Sequence, residues 1–259
     1  MSSGNHAPQI KAITFDIWDT LFIDESDAPK RHVAGLDPKP QMRRRLVWEA
    51  LGKAGDEVDR RLVDVASDAV DAAARKVWHE LFVTWTVPDR IDLILMGLGR
   101  DLPGQERESL ANAFQSMEME IGVDAVAGAK MVLEALSKQY QLAVISDTIF
   151  SPGWALRKML DAHGLDEYFD ARIFSDELGH SKPHPDVFWA AAGALGVRPD
   201  ELVHIGDREH NDVAGIHAVG GRAVLVTAVK DRGSHDTKAE AVCERLENLP
   251  GIIETMAGQ

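Results

Sequence analysis

From Gly122 onward, helix and strand signals alternate along this chain, and no other feature narrows the fold as much. Apolar runs at 142–145, 171–174, 202–205 and 223–227 read as short buried strands. Between and around them, 129–137, 154–163, 185–195 and 211–219 carry apolar residues at helical spacing. Alternation of this kind predicts a parallel sheet covered by helices, because each crossover must return the chain to the same edge of the sheet. An earlier apolar run at 10–15 predicts one more strand of that sheet. The expected class is α/β, with a Rossmann-like parallel core.

The stretch between the first strand and the rest has a different pattern. Residues 23–40 hold acids, three prolines and a glycine, which is loop or linker composition. From about 41 to 120 the signals are helical. Val58, Leu62, Val65, Ala69, Ala73, Val77 and Leu81 recur at the period of one long amphipathic helix. Pro88 opens a second helix through Ile91, Leu95 and Leu98, which Gly97 and Gly99 can close. A third is expected over 106–119. The predicted organisation is a core of 10–22 and 123–259 with an all-helical insertion at 23–122.

Charge limits the partners. With 28 basic and 42 acidic residues among 259, the net charge is −14. Such a surface repels nucleic-acid backbones and anionic membranes, so neither is an expected partner. A small anionic substrate would need local cations. The single cysteine, Cys243, cannot form an internal disulfide and fits a reducing cytoplasm; it reads as a helix-packing residue. No run approaches the ~18 apolar residues of a membrane span. Residues 1–6 lack the basic-then-apolar pattern of a secretion signal.

Chemistry-bearing residues gather at the strand ends. Asp16 ends the first apolar run, and Ser146 and Asp147 end the 142–145 run. His180-Ser-Lys-Pro-His-Pro185 supplies Lys182, and His204-Ile-Gly-Asp-Arg-Glu-His-Asn-Asp212 supplies Asp207, Asn211 and Asp212. Strand carboxyl ends are where open α/β sheets bind ligands. An ionised aspartate there can attack phosphorus or carbon. A serine hydroxyl can hold a transferring oxygen, and a lysine can screen nucleophile and substrate. Asp207 and Asp212 stand five residues apart across a glycine-turn-to-helix junction and can face one mouth. Taken singly, each of these residues also fits a cap, a turn or a solvated loop; their joint occurrence argues for a site. His180, His184, His204 and His210 lie near the last two segments but lack metal-ligand spacing, so they read as loop histidines rather than a zinc site.

These four segments, in this order, resemble the motifs of the haloacid dehalogenase-like hydrolase superfamily. Lys182-Pro-His-Pro185 is similar to its Lys-Pro-x-Pro pattern, and Gly206-Asp207-x-x-x-Asn211-Asp212 to its fourth motif. The resemblance covers about 10–22 and 123–230, and it implies that the helical insertion is a type-one cap. It also implies an aspartyl nucleophile at Asp16. Mg²⁺ would be held by Asp16, the backbone carbonyl of Trp18, Asp207 and Asp212, the last either as ligand or as support. Ser146 and Lys182 would be catalytic, Asp147 and Asn211 supporting. One position departs from the pattern. Phosphatases of this superfamily carry a general acid/base aspartate two residues after the nucleophile, and here Trp18 stands there. Indole donates but has no useful pKa. Dehalogenases of the superfamily have an aromatic residue at this point and need no metal.

In the insertion, Trp48, Trp78, His79, Phe82, Trp85 and Arg90 collect aromatics and cations. Trp48, Trp78, Trp85 and Arg90 are candidate substrate contacts on a lid, although Trp78, Phe82 and Trp85 also fit cap core. Arg43-Arg-Arg45 reads as a solvated helix face that could meet an anionic group. The expected protein is a Mg²⁺-dependent hydrolase, a phosphatase of a small phosphorylated metabolite. The alternatives are hydrolysis at carbon of the 2-haloacid dehalogenase type, or a catalytically weak ligand-binding member of the fold.

Overall fold

A computed structural model describes residues 9–258. Residues 1–6, on which the secretion-signal reading rests, and Gln259, the last residue of the expected core, lie outside them. In chain order, strand β1 (Ala12–Phe15) is followed by six helices: α1 (Asp27–Val33), α2 (Lys39–Lys53), α3 (Arg60–Leu81), α4 (Val87–Leu98), α5 (Gly104–Gln115) and α6 (Met117–Ile121). Then come α7 (Ala129–Leu136), β2 (Gln141–Ser146), α8 (Gly153–Ala162), β3 (Ala171–Phe174), α9 (Ser175–Leu178) and α10 (Pro185–Leu195). Last are β4 (Leu202–Gly206), α11 (Ala214–Ala218), β5 (Arg222–Val226), β6 (Ala241–Cys243) and α12 (Leu249–Ala257). The chain divides into two compact units. One comprises residues up to Asp24, Asp124–Asp147 and those from Leu160 onward; the other comprises Glu25–Val123 and Thr148–Met159.

The first unit holds a six-stranded sheet in the order β3-β2-β1-β4-β5-β6, all parallel. This is the expected α/β Rossmann-like class. β1 pairs with β2 on one side and β4 on the other, and all four of its residues are buried. Its neighbours lie on opposite sides, so the crevice at its carboxyl end falls at a topological switch point. On one face, Val187, Phe188, Ala191 and Ala192 of α10 pack with Ala143, Ile145 and Ala171. Pro185 begins α10 and His184 caps it, its Nδ1 accepting the Asp186 N–H at 3.3 Å.

The second unit is helical. Val47, Leu51, Val63, Val87, Ile91, Ile94 and Phe114 form its core. α4 starts as its sequence predicts: Thr86 and Asp89 make a reciprocal capping box, Pro88 stands in the first turn, and Gly99 ends the helix at φ 63°. No helix of the described residues is long and apolar enough to cross a membrane.

Several expectations are corrected. Residues 23–40 are not all loop, because α1 lies within them. It buries Asp27, which receives Lys39 Nζ at 2.9 Å, and that ammonium also meets Glu118 at 2.8 Å. The helix is therefore held by a buried ion cluster rather than an apolar stripe. The long helix forms as α3, but its buried residues are Val63, Ser67 and Ala74, while Leu62 and Val65 are exposed. Both faces carry apolar residues, and packing chose the other one. The helix expected over 106–119 breaks at Ser116 into α5 and α6. Cys243 lies on strand β6, not on a helix.

Candidate active site

The carboxyl ends of β1, β2 and β4 bring Asp16, Ser146 and Asp207 to one edge of the sheet. The Asp16 N–H still donates to Ile205 O at 2.8 Å, so the residue is fixed by the ladder that ends beside it. After β4 the chain turns through Arg208 into a single wide helical turn, Glu209–Val213, which sends Asp212 back over Gly206. The Arg208 N–H donates to Asp212 Oδ2 at 2.9 Å. A Cβ at position 206 would run into the Asp212 carboxylate, so this approach requires glycine there.

Lys182 joins the acids. Its Nζ donates to Asp16 Oδ1 at 2.5 Å and to Asp212 Oδ1 at 2.7 Å, with all three side chains buried. The loop that carries it is pinned from below. Asp147 Oδ1 accepts the Lys182 N–H at 2.8 Å, and Asn211 Nδ2 donates to Asp147 Oδ2 and Lys182 O, both at 3.2 Å. One oxygen from each of Asp16, Asp207 and Asp212 lies within 4.8 Å of the others. Asp207 Oδ1 and Ser146 Oγ are buried and make no hydrogen bond. Leaving such atoms unpaired is costly unless a ligand completes them. A hard divalent cation takes carboxylate oxygens of this kind, so the donor set fits one.

The charges are unequally shared. Burial, with Asp212 and Asp207 nearby, pushes the Asp16 carboxyl up to about 8 despite Lys182. Burial and Asp212 raise Asp207 to about 6. Burial opposes ionisation of Asp212 too, but Lys182 and His204 outweigh it and hold this carboxyl well below the usual range. Burial alone would lower Lys182; Asp16 and Asp212 overcome it and keep the ammonium charged. Asp212 is therefore the permanent anion, and Asp16 is the group that takes a proton when no other cation is present.

Three contributors escape the sequence reading. His204 is not a loop histidine: it lies fully buried in β4, its Nε2 3.0 Å from Asp212 Oδ1 and its Nδ1 2.8 Å from Thr14 Oγ1. Burial lowers its pKa, so the ring is neutral. An ionised Asp212 can only accept, which puts the ring proton on Nε2 and makes the Thr14 hydroxyl the donor to Nδ1. The other two are Arg232 and Asp19. Arg232 reaches in from the loop after β5, its Nε on Asp207 Oδ2 and its Nη2 on Asp19 Oδ2, both at 2.6 Å. Asp19 holds a left-handed φ of 56°. Trp18 is half-buried, its ring 6.4 Å from Phe22.

His180 and His184 stack at 3.8 Å beside Asp186, and His180 Nδ1 lies 2.9 Å from Asp186 Oδ2. Of the helical-unit candidates, Trp78 and Arg90 line one cavity of that unit. Trp48 instead donates from Nε1 to Val58 O at 3.0 Å, and Trp85 is half-buried.

Comparison with known proteins agrees with this architecture. The family model described as "Hydrolase: haloacid dehalogenase-like hydrolase" matches residues 10–220. A relative from Methanothermobacter thermautotrophicus, named glyceraldehyde 3-phosphate phosphatase, is 25% identical over 88% of this chain and 90% of its own. A crystal structure named as a phosphatase of this family from Thermococcus onnurineus is 25% identical, with a TM-score of 0.62 over 94% of this chain and 98% of the other. A structure named 2-haloacid dehalogenase, from Pseudomonas syringae pv. Tomato DC3000, shares the fold at TM-score 0.64 and 22% identity, over 95% of this chain and 99% of its own.

Proposed function

The chain belongs to the haloacid dehalogenase-like hydrolase family, and from that membership we propose that it is a Mg²⁺-dependent phosphatase of a small phosphorylated metabolite, acting through an aspartyl-phosphate at Asp16. The observation that carries the reading is the buried Asp16–Lys182–Asp212 cluster, with Asp207 Oδ1 and Ser146 Oγ making no hydrogen bond. The phosphatase names of the relatives support the same substrate chemistry.

In this reading, Asp16 attacks phosphorus and forms a P–O bond as the leaving oxygen departs; water then opens the acyl phosphate and regenerates the carboxylate. Ser146 Oγ donates to a phosphoryl oxygen. Lys182 holds the Asp16 carboxylate in place and offsets charge that develops on the transferring group. Asp16, Asp207, Asp212 and the Trp18 carbonyl would hold Mg²⁺. When bound, Mg²⁺ supplies the charge compensation that lets a carboxylate meet a phosphate dianion. Helices α1–α6 are assigned to a helical cap domain, and 10–22 with 123–259 to the hydrolase core. The compartment is the cytoplasm, a reading supported by a single, buried cysteine. The deciding assay is turnover of an aryl phosphate with and without Mg²⁺. No phosphate release in either condition removes the proposal.

Metal binding should be linked to protons. The free protein keeps a proton on Asp16 up to about pH 8 and on Asp207 up to about pH 6. A cation takes the ionised forms, so Mg²⁺ affinity is expected to rise between about pH 5 and about pH 8, with protons released on binding. Calorimetry in two buffers of different ionisation heat counts those protons. Zero release at pH values below about 7 contradicts the assigned ligands.

Trp18 makes a separate prediction. With no acid beside the leaving group, an alkoxide must depart unprotonated, and a missing general acid is worth ~10²–10⁴-fold. Aryl phosphates are therefore expected to be cleaved at least ~10²-fold faster than alkyl phosphates of similar size, and Trp18→Asp should narrow that gap. Equal rates on both in the wild-type enzyme, with chemistry limiting, show that another group already supplies the proton.

A second reading, hydrolysis at carbon of the 2-haloacid type, draws on Trp18, which leaves no acid/base side chain two residues after Asp16. Chloride release from a 2-haloacid in the presence of chelator would favour it.

A further inference from the structure

The helical unit contains a cavity of about 490 Å³ whose lining is at odds with the acidity of the chain. Arg43 from α2, Arg75 from α3 and Arg90 from α4 border it, along with the ring of Phe150. Two guanidinium groups lie over that one ring, Arg43 Cζ at 3.6 Å from its centroid and Arg90 Cζ at 4.4 Å. The carboxylates present are already engaged. Arg44 pairs with Asp68, and Asp71 Oδ1 lies 3.3 Å from Arg90 Nη1. Arg90 is buried, and its Nε makes no hydrogen bond. Arg43 is half-buried and makes no hydrogen bond or close ion pair among the described residues; Asp71 and Glu118 act on it only from a distance. Burial is the main reason that its pKa falls to about 10; Asp71 and Glu118 oppose that fall, and the neighbouring Arg90 adds to it.

Keeping like charges close together and partly out of water costs free energy, which Asp71 and Glu118 offset only in part, since both Arg43 and Arg90 are still held below the usual guanidinium range. In a chain of net charge −14, a cavity with surplus cations is a local exception. Guanidinium groups are forks suited to carboxylate and phosphate oxygens. The Phe150 ring and the Trp78 side chain, which also lines the cavity, add apolar surface beside them.

We infer that this cavity is an anion-binding site, taking the carboxylate or phosphate head of a small organic molecule on Arg43 and Arg90 and its flat or apolar part against Phe150 and Trp78. The site belongs wholly to the helical unit. Its anion can be the second charged end of the substrate or a separate ligand.

Benzoate and phenylphosphonate are the probes, titrated in the presence of chelator and followed by calorimetry. Chelator removes any metal that could draw an anion to the aspartate cluster, so binding is read without turnover. Wild-type protein is expected to bind both saturably, and Arg43→Gln to weaken them about tenfold, the loss of one charge-assisted contact. Arg43→Lys should recover part of the affinity. Because Arg43 makes no close ion pair and burial is the largest influence on its charge, Arg43→Gln should leave the melting temperature of the ligand-free protein unchanged or raised. Unaltered binding in Arg43→Gln overturns the inference, as does a melting temperature lowered by several degrees with binding intact, which would make Arg43 a packing residue. Kinetics then separate the two sources. If Arg43→Gln raises KM for 4-carboxyphenyl phosphate but not for phenyl phosphate, the anion is the distal end of the substrate. If neither KM moves while benzoate binding is lost, the site holds a separate ligand. Absence of phosphatase activity ends the proposal for Asp16 but leaves the benzoate titration valid.

Discussion

Asp16→Asn is expected to lower turnover of any substrate by at least ~10³-fold, because it keeps the shape of the side chain and removes the attacking charge. Misfolding is not the expected cause. Lys182 keeps its contact with Asp212 at 2.7 Å, and an amide oxygen can accept the hydrogen bond that Asp16 Oδ1 receives now. The direction of the stability change provides an internal control. In the folded wild type, burial holds the Asp16 carboxyl up at about 8, above its unfolded value. A raised carboxyl pKa contributes stability below the unfolded pKa, and that contribution is lost as pH rises through the folded one. Without metal, therefore, the wild type should lose stability between about pH 4 and about pH 8 in a way that Asp16→Asn does not. Denaturant midpoints across that range check this, alongside the rates. Near-wild-type turnover in the variant sinks the nucleophile assignment, whatever the stability curve shows.

Lys182→Met is expected to have the largest effect on stability. The ammonium is the cation shared by Asp16 and Asp212, and all three side chains are buried. Removing one partner of a buried ion pair leaves uncompensated charge and typically costs ~3–5 kcal/mol. The cost should depend on pH. In the wild type, Asp212 is held low, a contribution present above its unfolded pKa and lost only in acid. Without Lys182 both carboxyls are held high instead, so the variant should be most stable in mild acid and lose stability as pH rises toward 8. Unfolding in urea at about pH 5 and about pH 8 reads the difference. The gap between variant and wild type should widen at the higher pH, and millimolar Mg²⁺ should close part of it. A variant as stable as the wild type at the higher pH contradicts the geometry. A stable variant with full activity also removes Lys182 from the proposed chemistry.

The sequence and the structure agree closely where the signals are local. The parallel sheet follows from short apolar runs alternating with helical ones, since a buried strand needs the first and a crossover the second. β3 and α10 begin and end where their patterns do, with Pro185 and Gly196 marking the ends of the latter. The same logic placed Asp16, Ser146 and Asp207 together, because parallel strands in one sheet present their carboxyl ends to one edge. Asp212 was legible from its five-residue spacing to Asp207 across a glycine turn, while the close approach of its carboxylate to Gly206 emerged with the structure. Even His204 had its signal, lying inside an apolar run read as strand; its neighbours in the loops obscured it.

Other features had no local signature. The burial of α3 along Val63, Ser67 and Ala74 could not be chosen from a helix with apolar residues on both sides. α1 is held by Lys39 and Glu118, the latter some 90 residues further along the chain, and no period records such a pair. Arg232 stands alone in a polar loop, 25 residues from Asp207, and reaches it only because that loop folds back after β5. The residues at strand ends were thus determined by the sequence alone, since backbone pairing and turn geometry act over a few residues. The tertiary structure decided which distant charges meet them, because a buried charge takes whichever counter-charge the completed packing brings within reach.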